Sequence, residues 1–142
     1  MEEIMDTEKT LLPIEENLTA EDLQNPETLA KFIVSVLDSK KARDIKLLHV
    51  EKQTVIADYF VVCTGSSRTQ IRSLADEVEF KLSPYGIAPI HVEGTDTGIW
   101  VLTDYNSVIL HVFNKEAREF YKLEKLYQGT TEQDITELIT ED

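Results

Sequence analysis

The sequence predicts an α/β domain built on a mixed five-stranded sheet flanked by helices, in the order αββαβββα. Three observations carry that expectation. Leu29, Phe32, Ile33, Val36 and Leu37 recur at helical spacing directly after a helix-start signal. Ala57 to Thr64 is an apolar run of strand length, rich in aromatic and β-branched residues, and a Gly-Ser-Ser turn follows it. A second helical stripe and three further strand patterns then come in order.

Asn17 to Asn25 is polar, and its Thr19-x-x-Asp22 pattern can start one short helical turn. Asn25 suits an N-cap and Pro26 the first helical position, so the first long helix runs to about Lys40. Ile45 to Val50 and Ala57 to Thr64 read as strands. Gly65, Ser66 and Ser67 break the second of these. Either serine can cap a helix whose inward stripe is Ile71, Leu74, Ala75, Val78 and Leu82, ended by Pro84 and Gly86. Strands are expected at about Ala88 to Val92, Ile99 to Thr103 and Val108 to Phe113, the last two joined by a hairpin at Asp104-Tyr105-Asn106-Ser107. Asn114 caps a final helix from Lys115 to about Tyr127, and Gly129 stops it.

The 142 residues are enough for one domain with a real core, and the net charge of -13 is unevenly spread. Residues 1–25 carry net -7 and residues 130–142 net -5, while residues 26–129 are close to neutral at -1. The division expected is therefore an acidic N-terminal extension over 1–25, an α/β domain over 26–129 and an acidic, solvated tail over 130–142. A neutral domain lacks the basic footprint of a general nucleic-acid binder. The single cysteine, Cys63, allows no disulfide within the chain and points to a reducing compartment. With no signal-like start and no apolar run of membrane length, a cytoplasmic protein is expected.

The chemistry-bearing residues do not assemble into a catalytic pattern. Gly65-Ser66-Ser67 at a helix start can bind phosphate through backbone amides, as in nucleotidyltransferases. Those enzymes also need acidic metal ligands on a following strand, and Asp76, Glu77 and Glu79 lie instead in a helical repeat. The expected fold is thus nucleotidyltransferase-like without the catalytic acids. His49, His91 and His111 sit in different strands with no metal-pair spacing, and no cofactor or metal is expected. Aromatic residues dominate the last third of the chain, with Trp100 and Tyr105 flanking a strand end and Phe120, Tyr121, Leu123 and Tyr127 on the final helix. Laid out at helical angles, that helix separates Ala117, Phe120, Tyr121, Leu123 and Tyr127 from a basic side of Lys115, Arg118, Lys122 and Lys125. Such anchors are the material of recognition surfaces or of a core, and Leu126, off the main apolar side, means that the helix is either buried on two sides or exposes an apolar residue for a partner.

Three stretches, IADYFVVCTGSSRTQIRSLADEVE at 56–79, HVEGTDTGIWVLTDY at 91–105 and VILHVFNKEAREFYKLEKLY at 108–127, together resemble the ribosomal silencing factor family, also called the Iojap family. One departure is Tyr127, where that family usually has Trp. The resemblance implies a homodimeric translation repressor. It would bind the large ribosomal subunit at the ribosomal protein numbered fourteen, with peripheral ribosomal RNA contact, and block joining of the small subunit when nutrients are scarce. It also implies ribosome or dimer contacts at Trp100, Asp104, Tyr105, Glu116, Arg118, Tyr121, Leu123, Glu124, Leu126 and Tyr127. The rival readings are a nucleotide-processing enzyme using the Gly65-Ser66-Ser67 turn and an RNA-binding ribosome assembly factor using Lys115, Arg118, Lys122 and Lys125.

Overall fold

The structure, a computed structural model, describes residues 17–50, 57–123 and 130–140. Its first turn is held by reciprocal bonds, Thr19 N–H to Asp22 Oδ2 at 2.9 Å and Asp22 N–H to Thr19 Oγ1 at 3.1 Å, and leads into a short 3-10 turn over Asp22–Gln24. That turn buries Leu23, which lies within the segment expected as a polar extension.

Helix α1, Pro26–Ser39, begins where the Asn25 side chain accepts from Thr28 N–H at 3.0 Å. Strands β1, Arg43–His49, and β2, Tyr59–Thr64, follow as an antiparallel pair. Helix α2, Arg68–Leu82, is capped by Ser67, whose Oγ accepts from Gln70 N–H at 3.0 Å. Gly65 must be glycine at the turn between them, because a Cβ there would sit 2.7 Å from Ile71 Cγ1. Strand β3 is His91–Glu93, shorter and later than expected, and β4, Trp100–Asp104, turns into β5, Val108–Phe113. Helix α3 is Lys115–Tyr121, capped by Asn114.

Six strands, not five, pair among the described residues, in the order β3-β4-β5-β2-β1-β6. The sixth, β6 at Thr131–Gln133, lies antiparallel to β1. The expectation of a solvated tail is corrected here. Beyond β6, Ile135, Leu138 and Ile139 pack against the main core, and Thr140 N–H donates to Asp38 Oδ2 at 3.0 Å. Its acidic composition misled because the strand is only three residues long and its pairing is tertiary.

Side chains alternate across a sheet, so its register assigns each residue to a face. One face carries Leu47, Val61, Cys63, Val101, Leu110 and Val112 into a cluster with α1 and α2. The opposite face carries Leu48, Phe60, Val62, Ile109 and Phe113 into a second cluster with Ala117 of α3 and Leu123. The only parallel neighbours among the described strands are β2 and β5, and the helices after them cover opposite faces.

Candidate interaction surface

Trp100 and Leu102 lie on the second face because the antiparallel register sets them opposite Phe113 and His111. Both pack against the second cluster while staying partly open to solvent. The Trp100 ring lies 4.8 Å from that of Phe113 and 4.6 Å from that of Tyr121, centroid to centroid. Its Nε1–H donates to His111 Nδ1 at 3.1 Å. Helix α3 then sets Phe120 edge-on to Tyr121, with centroids 5.0 Å apart. Phe120 is 79% exposed and Tyr121 40%, so Trp100, Leu102, Phe120 and Tyr121 form a partly open apolar ledge at one corner of the sheet.

The predicted contact residues are distributed unevenly around this ledge. Trp100 and Tyr121 are brought into direct contact, and Leu123 lies buried in the cluster beneath. Asp104 is on the same face four residues along β4, where its Oδ1 accepts from Asn106 N–H at 2.7 Å and shapes the hairpin. Glu116 is exposed in the first turn of α3. Glu124, Leu126 and Tyr127, with Lys125 and Gly129, lie outside the described residues.

Two expectations are corrected by the geometry. Tyr105 does not reach beyond the sheet: it is 5% exposed and belongs to the main core, and burial raises its hydroxyl pKa, with a further push from Glu79. Arg118 does not lie on a free basic face, since its Nη1 donates to Thr64 Oγ1 at 2.8 Å across the sheet end. Helix α3 also stops at Tyr121, because Lys122 adopts the left-handed conformation at φ 47° and its N–H bonds Arg118 C=O. The single amphipathic helix drawn from Lys115 to Tyr127 is therefore interrupted at Lys122, and its part beyond Leu123 lies outside the described residues.

Leu102 was not singled out from the sequence, and Phe120, read there as a recognition anchor, is not among the contacts that the resemblance implies. The signal for Leu102 is alternation, two residues from Trp100 on one strand face. For Phe120 it is the position just before the helix end, which a helix running to Tyr127 conceals.

The nucleophile candidates are occupied structurally. Ser67 caps α2, and Ser66 donates both its N–H and its Oγ–H to Gln70 Oε1. Burial pushes the Cys63 thiol up to about 12, partly opposed by Arg118, so it stays protonated. Among the described residues no group of three or more His, Cys, Asp or Glu is placed to hold a metal ion, and no helix is long and apolar enough to cross a membrane.

The family model described as "Ribosomal silencing factor during starvation" matches residues 23–142. Ribosomal silencing factor RsfS of Bacillus subtilis is 38% identical over 103 residues, spanning 72% of this chain and 87% of the relative. Among solved structures, a Chromobacterium violaceum protein superposes with a TM-score of 0.71 at 32% identity, covering 75% of this chain and 89% of that one. A Bacillus halodurans protein superposes with a TM-score of 0.65 at 35% identity, covering 77% and 100%.

Proposed function

The chain belongs to the ribosomal silencing factor family, and from that premise we propose that it binds the large ribosomal subunit at the protein numbered fourteen and so excludes the small subunit. The observation that carries this reading is the ledge of Trp100, Leu102, Phe120 and Tyr121, held in place from below by Phe113 and His111. Exposed aromatics on a rigid base lose little entropy when a partner covers them, and a few such anchors dominate binding energy. Exclusion by occupation needs no bond to be made or broken. It requires affinity at the right place, and the protein body then blocks the approach of the other subunit.

The same reading takes the chain as a cytoplasmic homodimer. The outer edge of β3 suits self-association, since β3 pairs only with β4 among the described strands and Ile90 and Val92 stand exposed beside it. The test of the docking site is a pull-down with the isolated ribosomal protein numbered fourteen. Wild type should be retained and Phe120→Ala and Tyr121→Ala should be retained weakly. Equal retention of all three chains would remove the ledge from the interface.

A further inference from the structure

The carboxyl ends of β2 and β5 open into a crevice of about 670 Å³ that none of the four ledge residues lines. In open α/β sheets, ligands sit at such a point, beyond the ends of parallel strands whose helices leave to opposite faces. Its size falls in the range of small-molecule sites. The walls are preformed by backbone bonds between the loops, Gly65 N–H to Phe113 C=O at 2.9 Å and Asn114 N–H to Ile99 C=O at 2.8 Å.

Three cations, Arg43, Arg68 and Lys115, line the crevice, and none has an ion-pair partner among the described residues. Arg68 is positioned by Gly98, whose left-handed backbone at φ +68° lets the loop lie against the Arg68 stem, where an added Cβ would be 3.1 Å away. On the lining, Thr64 is only 6% exposed and its oxygen accepts from Arg118. The Thr64 O–H is left with no acceptor among the described residues. The first-turn amide of Arg68, an exposed residue at the start of α2, likewise has no acceptor there. A free helix-start amide and a buried hydroxyl beside a cavity lined by three unpaired cations suit an anion.

A bare phosphate would leave most of the cavity empty. Ile99 supplies an apolar wall, and the carboxylates of Asp44 and Glu116, which repel phosphate, are acceptors for sugar hydroxyls or a base amino group. We propose that this crevice binds a nucleoside polyphosphate, with the phosphates on Arg43, Arg68, Lys115 and the start of α2 and the base against Ile99.

The experiment is calorimetric titration of the full chain with ATP, GTP, inorganic triphosphate and a uridine hexanucleotide. At least one nucleotide should bind, at least about tenfold more tightly than inorganic triphosphate, and Arg68→Glu and Lys115→Glu should each weaken it by about tenfold or more. Both side chains are exposed, and melting curves would verify that the variants fold; Arg43→Glu replaces either one that does not. No binding of either nucleotide at millimolar concentration would overturn the proposal. So would unchanged affinity in the folded variants, inorganic triphosphate binding as tightly as nucleotide, or tighter binding of the hexanucleotide.

Discussion

The indole N–H of Trp100 donates to His111 Nδ1 at 3.1 Å, which fixes His111 as the tautomer with its proton on Nε2. That second nitrogen is buried with no hydrogen-bond partner among the described residues. The ledge is therefore coupled to a histidine inside the sheet, and burial lowers the His111 pKa to about 3.

The pH dependence follows from this. The folded pKa lies below the unfolded 6.5, so the unfolded chain binds the extra proton. Stability is full above that value and falls as pH drops toward about 3. At about pH 5 the loss from this group is about 2 kcal/mol. Urea melts of wild type and His111→Phe at neutral pH and at about pH 5 check it: the variant should lose less stability by roughly that amount. Parallel losses would show that His111 takes up no extra proton on unfolding, and so that burial does not lower its folded pKa.

Tyr105 separates packing from contact. Its ring is buried and its hydroxyl has no partner among the described residues. Tyr105→Phe is expected to be neutral or stabilising, since an unsatisfied buried hydroxyl costs about 1–3 kcal/mol. Tyr105→Ala should cost about 3–5 kcal/mol. Denaturant melts decide between this order and the reverse.

Deleting everything from residue 130 onward should destabilise the fold by more than about 2 kcal/mol. The deletion strips β6 from β1 and uncovers the core under Ile135, Leu138 and Ile139. A truncated chain that melts like wild type would show that the tail contributes nothing.

Much of this fold was legible because local signals agreed with tertiary demand. Asn25 caps the helix it was expected to cap, Ser67 is the one of the two candidate serines that caps α2, and β5 spans the expected Val108–Phe113. What escaped was set by distant partners. Thr131–Gln133 is a strand only because β1 has a free edge, and Tyr105 is buried because α2 and the sheet close over a turn residue. The left-handed Lys122 carries no glycine or asparagine to announce it, so one helix was drawn where the chain turns. At the candidate surface, the pairing of Trp100 with Tyr121 was within reach of the sequence. The engagement of Arg118 by Thr64, 54 residues away, was not.

Phe120→Ala should leave the melting temperature close to that of wild type, since the ring is mostly exposed. If it anchors the partner, large-subunit affinity should fall by about thirtyfold, the equivalent of ~2 kcal/mol. A stable variant that binds large subunits as wild type does would move the interface elsewhere.

The most direct test of the central claim is a gradient sedimentation of purified large and small ribosomal subunits under joining conditions, with and without saturating protein. The chain should travel with the large subunit and not with the small one, and the joined-ribosome peak should shrink as free subunits accumulate. An unchanged joined peak, or equal binding to both subunits, would contradict it.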